Sequence, residues 1–434
     1  MTDYNPKEHR APQQPIRLWM AYFNLLRSMC GAGMLGMPLI ISQTGFIFGP
    51  LLTLATGLLI IYTHFMLLDC LNEISRQLTI PYISYRYGFR LALLHGPPML
   101  HWVGKHGPTI IATYMVLSQL GICTVFVIFT TDCLRDLMDW QDSSTAVAWL
   151  LFPFLLLEFY MKNLYVVSYV AMLGNFINLI AMGFVLEHIV SEPDVGEVIE
   201  AKTGEMNILF AFGSLLFNLS AVGVILSVDK ALEDPKKMTS TFGVIYVGIF
   251  IPTVISIIFG VLGYRAFGTM EENILRSLPF DQDTSMAAIG LYLITIAFAY
   301  PLQCYPAIAT IVEVVKYHDY NAPSQESLHL IETISRPFFV VLSFMICFWV
   351  GFQGPFVAFV GNLCTSMLSL VFPALMDVSL RYPCYYGYYN VHLFKDLIII
   401  AIGLVSVIFG VYLCGYLIYV RVLSRNSPNS YGFY

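Results

Sequence analysis

The residues best suited to bind a small solute lie in the first apolar segment. Four residues that weaken or interrupt a helix fall within eight positions there, namely Gly31, Gly33, Gly36 and Pro38. Glycine lowers helix stability and proline removes a hydrogen-bond donor. Backbone freed inside a bilayer must find partners or line a wet cavity. A broken helix offers amide N–H groups and a positive helix end, which suit a carboxylate. Close helix packing through small residues is the alternative.

A second interruption is indicated in the middle of the sixth apolar segment. Asn218 and Ser220 stand there among apolar neighbours, in the run from Phe217 to Gly223. Transporters built from inverted repeats place discontinuous helices at matching positions in their two halves. The sixth segment would open the second half as the first segment opens the first. Alternatively, the two polar side chains bond the backbone or a neighbouring helix.

Other polar residues in apolar segments could face a central cavity. Gln303 and Tyr305 lie between Pro301 and Pro306, which predict a kink in the eighth segment. The kink alone is the competing explanation. Gln119 in the third segment could contact a ligand or join two helices. Ionisable residues inside spans are functional candidates by default, and they are few: Arg27, His64, Asp69, Glu158, Glu187 and Glu313.

Composition places the chain in a membrane. Of its 434 residues 57% are hydrophobic and only 12% are charged, about half the charge of a soluble domain. A span needs about 20 apolar residues. Eleven helices are therefore predicted near 18–41, 46–70, 109–131, 145–161, 165–189, 207–228, 240–265, 286–314, 333–353, 356–378 and 395–422. The expected organisation is a tail at 1–17, one transmembrane domain at 18–422 and a tail at 423–434. The stretch 71–108 is expected to hold an amphipathic segment at the inner surface.

Several function classes are disfavoured. No basic block indicates nucleic acid binding, and the nine Cys show no metal-ligand spacing. Neither H-E-x-x-H nor G-x-S-x-G occurs, so an enzyme, a bound metal and a cofactor are not expected. With the N-terminus inside, the inner segments hold 15 of the 22 Lys and Arg and the outer segments hold 6. This bias predicts a cytoplasmic N-terminus and an extracellular or luminal C-terminus, in the plasma membrane or an endolysosomal membrane.

The chain resembles the amino acid/auxin permease family, and within it the animal proton-coupled amino acid transporters, as a divergent member. Each motif is weak alone, but together and in order they are specific. The similar stretches are Leu25–Pro38, Gln119–Cys123, Gly263–Gly268 with Leu278 and Pro279, Pro301–Tyr305, and Phe394–Asp396.

The resemblance implies a leucine-transporter-like fold with a 5+5 inverted repeat plus one extra helix. The repeats would span about 18–189 and 207–378, and the extra helix about 395–422. Small zwitterionic amino acids would be the substrates, moved by alternating access. The carboxylate would meet the backbone near the first-helix break, and the amino group would meet sixth-helix carbonyls. The candidate binding residues are Gly31, Ala32, Gly33, Met34, Phe217, Asn218, Ser220, Gly223, Gln119, Gln303 and Tyr305.

Departures from the family pattern argue against proton coupling. Ser220 stands where the family has an acidic residue, and Asn24 where the proton-coupled members commonly have histidine. Neither side chain has a pKa that a transport cycle could cross. Asn24, Arg27 and His64 are the candidates for coupling or gating, with protons or another ion as the partner. The competing function is an amino-acid-binding sensor or signalling scaffold with weak or no transport.

Overall fold

The computed structural model describes residues 4–12, 14–140, 142–191, 205–268, 274–279, 282–318, 324–351, 353–383 and 385–425. Most of the predicted C-terminal tail lies outside these ranges. Within these ranges the regular secondary structure is helical, apart from one isolated β-bridge that pairs Ile16 with Leu232. Ten of the described helices are long and apolar enough to cross a bilayer. A first helix in short pieces brings the number to the predicted eleven.

The two helices predicted to be broken are both interrupted. The first, α1, consists of Leu18–Met29, Ala32–Leu35 and Met37–Thr44. The sixth, α6, consists of Glu205–Leu219 and Val222–Ala231. In α1 the glycines interrupt the backbone hydrogen bonds at more than one point, whereas the interruption of α6 covers two residues, Ser220 and Ala221.

The remaining spans are longer than predicted at several ends. They are α2 Phe48–Gln77, α3 His101–Leu137, α4 Ser143–Tyr160, α5 Leu164–Ser191, α7 Val244–Phe267, α8 Asp283–His318, α9 Gln325–Val350, α10 Gln353–Leu380, and α11 in the consecutive pieces Val391–Val405, Ser406–Gly410 and Val411–Arg425. Despite its two prolines, α8 is one helix. A short helix, Tyr85–His95, occupies the expected amphipathic stretch and packs on α3 and the end of α10.

Packing separates a scaffold from the broken helices. Helix α8 makes its most extensive contacts with α3 and α5, and α9 packs against α4 and α3. Helix α1 lies between α5 and α7, and the first half of α6 packs along α10. Helix α10 contains two π-helical turns, Gly361–Thr365 and Met367–Val371. Such turns are frequent at functional sites, and these two face the interrupted α6.

Candidate functional site

The break in α1 replaces the regular hydrogen-bond ladder by tight turns. The first piece ends with the Cys30 amide donating to the Leu26 carbonyl at 2.8 Å. Gly31 then takes an extended conformation, with φ −121° and ψ −146°. The Met34 amide donates to the carbonyl of Gly31 at 3.1 Å, and the chain forms one short helical piece, Ala32–Leu35. The helical ladder is therefore interrupted at Cys30 and Gly31.

The break in α6 is shorter, and a side-chain hydrogen bond holds it to α10. Ala221 leaves helical geometry with φ −135° and ψ 46°, and its carbonyl accepts from the Ile225 amide at 2.8 Å. The Ser220 hydroxyl lies 2.6 Å from the hydroxyl of Ser369 on α10. Ser220 is thus paired with a neutral hydroxyl.

The two breaks meet at Gly33 and Asn218. A Cβ added at Gly33 would stand 2.7 Å from the Asn218 Oδ1 atom, too close for any real carbon. The Asn218 amide nitrogen donates to the Ser256 hydroxyl at 3.3 Å. Its Oδ1 is buried and accepts no hydrogen bond from the described part of the chain. An unused acceptor therefore lies where the broken helices touch.

A small cavity lies at this meeting point. Its empty volume is about 270 Å³, and its interior has room for about one water molecule. Its walls come from α1, α3, α6 and α8, through Ser28, Met29, Gly31, Ala32, Gly33, Ile122, Phe126, Phe217, Asn218, Ser220 and Gln303. None of these described lining residues carries a charge. The Gln303 Oε1 atom is also buried and has no partner in the described ranges.

A second cavity adjoins the first across the short middle piece of α1. It has an empty volume of about 320 Å³ and shares Ala32 and Gly33 with the first cavity. Its other walls come from the later part of α1, the first half of α6 and the start of α10. These parts lie toward the face opposite the N-terminus. The short middle piece of α1 thus separates a central cavity from one nearer that face.

Seven of the eleven predicted binding residues line the central cavity. The other four, which are not among its lining residues, are Met34, Gln119, Gly223 and Tyr305. Gln119 packs directly against Gly223, and a Cβ at residue 223 would collide with its amide. This contact joins α3 to the second half of α6, so here glycine allows close helix packing. Met34 is buried in the hydrophobic core.

The predicted coupling residues lie outside the cavity. The Asn24 amide donates to the Ser168 hydroxyl on α5 at 2.8 Å. Arg27 is also buried against α5, with Nη1 3.5 Å from the Gly174 carbonyl oxygen. His64 bonds the Ile60 carbonyl of its own helix at 2.7 Å. Two of the three therefore join α1 to α5.

Sequence reasoning missed part of the site. Met29, Ile122 and Phe126 form apolar walls, and their types do not distinguish them from core residues. Ser369 was also missed, although it is a polar residue in an apolar run. Its contact with Ser220 depends on how α10 packs against α6. The residue pattern along one segment does not indicate that packing.

The face at which α1 begins is closed by the N-terminal segment. Arg10 Nη1 lies 2.8 Å from Asp229 Oδ2 at the end of α6, and each side chain is only 6% exposed. The same guanidinium donates to the Pro81 carbonyl and to Asn72 Oδ1, each at 3.0 Å. The Ile16 amide donates to the Ala231 carbonyl at 2.8 Å. We call Arg10 and Asp229 with these contacts the N-terminal latch.

A lysine beside the latch is also partly desolvated. Lys7 Nζ donates to the Thr239 hydroxyl at 2.7 Å. Burial lowers the pKa of Lys7, and the nearby carboxylates of Asp69 and Asp229 oppose that shift. Through the latch and Lys7, the N-terminal segment therefore joins the end of α2, the end of α6 and the loop before α7.

A buried ion pair joins α4 and α9 of the scaffold, away from the cavity. Arg336 Nη1 on α9 lies 2.6 Å from Glu158 Oε1 on α4, with side-chain exposures of 3% and 1%. Arg336 also bonds Glu332 at 2.7 Å and the Lys162 carbonyl at 3.0 Å. Among the described residues, no group of three His, Cys, Asp or Glu side chains could hold a metal ion.

Two solved structures with a similar fold are membrane transporters. A Na⁺-coupled sialic acid symporter, substrate-bound and outward-open, superposes with a TM-score of 0.52 at 12% identity, over 95% of this chain and 92% of that one. Mhp1, a nucleobase-cation-symport-1 family transporter in a closed conformation, gives 0.53 at 12% identity, over 99% and 97%. At this identity the likeness concerns the fold alone.

Sequence relatives cover most of the chain. The proton-coupled amino acid transporter-like protein pathetic of Drosophila melanogaster is 23% identical over 415 residues, 94% of this chain and 86% of the relative. Amino acid transporter AVT3C of Arabidopsis thaliana is 24% identical over 386 residues, 82% and 81% of the two chains. The family model described as transmembrane amino acid transporter protein matches residues 14–414. The chain is a multi-pass membrane protein that belongs to this family of amino acid transporters.

Proposed function

We propose that the chain carries small neutral amino acids across the membrane by alternating access, with the substrate bound in the central cavity. The observation that carries the proposal is the meeting of the α1 and α6 breaks at Gly33 and Asn218, around buried polar atoms that the described residues leave unbonded. A zwitterion matches such a place, because it supplies both an acceptor and a donor group.

The carboxylate is assigned to α1 and the ammonium to the opposite wall. The break at Gly31 and the start of the helical piece after it, at Ala32 and Gly33, offer amide N–H groups to a carboxylate. Asn218 Oδ1 and Gln303 Oε1 are neutral acceptors, suited to an ammonium. The uncharged lining favours neutral side chains, since a charged side chain would be buried without a partner. The small volume favours short ones.

The closed N-terminal latch supports alternating access. It closes the face where α1 begins, while the second cavity lies on the other side of the short middle piece of α1. We assign the latched face to the cytoplasm, because most Lys and Arg fall in segments on that side. Release of the latch would then be needed for the substrate to leave toward the cytoplasm.

Transport that does not require a proton gradient is part of the proposal. One relative is named proton-coupled. In this chain the positions that depart from the family pattern hold Ser220 and Asn24, and both bond neutral serine hydroxyls. A neutral hydrogen-bonded pair offers no group that must gain or lose a proton during the cycle.

An amino-acid-binding sensor is the second candidate. Its support is the tight packing of the cavity, which has room for about one water, together with the Ser220–Ser369 bond that holds the α6 break to α10. A sensor would bind amino acids without rapid turnover.

Proteoliposome uptake tests the proposal. Purified protein should accumulate radiolabelled glycine, alanine or serine toward equilibrium, at similar rates with and without an imposed pH gradient. Strict dependence on the pH gradient would contradict the coupling assignment. Thermal stabilisation by these amino acids without flux would instead support the sensor.

A further inference from the structure

Lys7 is a partly buried cation whose hydrogen bond goes to a neutral hydroxyl. Its Nζ atom donates to Thr239 Oγ1 at 2.7 Å. No described carboxylate lies within 4.0 Å of this ammonium, whereas the Arg10 guanidinium has Asp229 at 2.8 Å. Burial lowers the pKa of Lys7, and the carboxylates of Asp69 and Asp229 offset that shift only in part. The surroundings of Lys7 would therefore stabilise an added negative charge.

The loop that carries Thr239 has the charge pattern of a kinase substrate. Lys236 and Lys237 precede the threonine by three and two positions. Their side chains are 57% and 54% exposed. The loop runs from the end of α6 to the start of α7 and contains one short 3-10 turn, Pro235–Lys237. Kinases select substrates by such charge patterns, so a kinase that prefers basic sequences can bind this loop without unfolding a span.

Thr239 differs from the two hydroxyl residues that follow it in what its side chain faces. Its oxygen bonds Lys7 of the N-terminal segment. The Ser240 hydroxyl instead donates to the Lys237 carbonyl of its own loop at 3.5 Å, and both Ser240 and Thr241 are exposed. A phosphate on Thr239 would therefore lie against the N-terminal segment, whereas a phosphate on either neighbour would lie in solvent.

Nearby carboxylates would not cancel the attraction between Lys7 and such a phosphate. The carboxylates of Glu8, Asp229 and Asp234 are already paired with other cations of the latch and its loop. Lys7 is therefore left to receive a further anion. A phosphate brings three acceptor oxygens and about −1.5 to −2 charge, so charge-assisted hydrogen bonds would replace a neutral one.

We propose that Thr239 is a phosphorylation site whose phosphate bonds Lys7 and holds the N-terminal latch closed. In the modification, the Thr239 oxygen forms a bond to the γ-phosphorus of ATP on a protein kinase. The bond between that phosphorus and the bridging oxygen breaks, ADP leaves, and the kinase accepts the hydroxyl proton. The inference rests on the proposed function for two points: this face meets the cytoplasm, where ATP is available, and a closed latch slows substrate release there.

Purified full-length protein treated with the catalytic subunit of a cyclic-AMP-dependent protein kinase, with and without ATP, provides the test. Mass spectrometry should locate the phosphate on Thr239. Amide hydrogen exchange then reports on opening of the latch, because the Ile16 amide bonds the Ala231 carbonyl and the Glu233 amide bonds the Ile16 carbonyl. Exchange at these two amides should be about tenfold or more slower after phosphorylation, as expected for added hydrogen bonds to a charged group.

Three variants separate the assigned contact from a general effect of the kinase. Lys7→Ala should still be phosphorylated on Thr239, but exchange should not slow, because the cation that bonds the phosphate is gone. Thr239→Val should show no slowing after treatment. Ser240→Ala is the matched control: it removes the neighbouring hydroxyl and should keep both the modification and the slower exchange. Each variant is compared with its own sample treated without ATP.

The inference is overturned if the kinase places no phosphate on Thr239, or if the phosphate leaves exchange unchanged or faster. Equal slowing in Lys7→Ala would overturn it as well, since the phosphate would then act without the assigned cation. Failure of the proposed function is a separate outcome: the unaltered protein would show no amino acid uptake, while phosphorylation of Thr239 would still slow exchange in the N-terminal segment.

Discussion

The side chain of Asn218 lies directly over Gly33, with Oδ1 2.7 Å from the position that a Cβ on residue 33 would occupy. This contact joins the short middle piece of α1 to the end of the first half of α6. Because the central cavity lies at the same place, the contact determines how closely the two broken helices approach around that cavity.

Gly33→Ala should therefore impair transport. The added methyl must displace the Asn218 amide or the backbone of α1. Overpacking of this kind costs about 1–3 kcal/mol, which corresponds to about a 5- to 150-fold effect if it acts on the binding-competent state. Initial rates of amino acid uptake at equal protein density measure the loss.

Gly290→Ala is the matched control for this substitution. Gly290 lies within α8, and a Cβ there would meet no described atom within 4 Å. Uptake should be unchanged in the control. Equal uptake by Gly33→Ala and the control would show that the Asn218 contact does not constrain the site.

Loosening the N-terminal latch should expose the cavity to the cytoplasm. Arg10→Ala removes the partner of the buried Asp229 and three further hydrogen bonds, so the closed arrangement is destabilised. A cysteine introduced by Ser28→Cys reports on the cavity, because Ser28 lines it. In that background, Arg10→Ala should speed labelling by a thiol reagent applied from the cytoplasmic side.

Lys236→Ala tests whether this effect is specific to the buried pair. Glu8 on the N-terminal segment forms an ion pair at 2.8 Å with Lys236 in the loop before α7, but the side chains of Lys236 and Glu8 are 57% and 52% exposed. Exposed pairs contribute little, so labelling should remain at the reference rate. Similar acceleration by both variants would contradict the role assigned to Arg10.

Breaking the Glu158–Arg336 pair should have unequal effects on its two sides. Arg336→Met leaves a carboxylate that is 1% exposed without its cation, and stranding such a charge costs about 3–5 kcal/mol. Glu158→Gln should cost less, because Arg336 keeps Glu332 and the Lys162 carbonyl. Thermal unfolding midpoints in detergent provide the comparison. A larger loss in Glu158→Gln than in Arg336→Met would contradict the view that the unpaired Glu158 carboxylate is the main cost.

Restoring an acidic residue at the α6 break should introduce a response to protons. Ser220→Glu combined with Ala221→Gly places a carboxyl group beside Ser369 and removes the methyl group of Ala221. Uptake by this variant should rise when the side of substrate entry is acidified. Ser220→Gln with Ala221→Gly has a similar shape without a titrating group and should show no such rise. A response in both variants would mean that the proton acts elsewhere.

Some of this arrangement could be predicted from the sequence, because it depends on local backbone chemistry. Gly31, Gly33 and Pro38 weaken a helix wherever they occur in it, and Asn218 and Ser220 mark α6 in the same way. Both breaks are found in the structure. The prediction of a small site lined by residues of α1 and α6 follows from their matching positions in two halves.

Contacts between distant segments could not be predicted in the same way. Ser369 reaches Ser220 because two π-helical turns alter the register of α10, and nothing in the run around Ser369 indicates those turns. Arg10 and Asp229 are 219 positions apart, and their pairing depends on the path of the N-terminal segment. Gln119 matched a family motif, yet it packs on Gly223 and not on the cavity.

Solute counterflow tests the central claim most directly, because it requires binding and alternating access but no driving ion. Proteoliposomes loaded with unlabelled alanine are diluted into a trace of labelled alanine, with Gly33→Ala as the reference for a damaged site. The account predicts transient accumulation of label by the unaltered protein and much less by Gly33→Ala. Absence of counterflow with alanine, glycine and serine, in protein that these amino acids stabilise against unfolding, would contradict transport and favour a sensor.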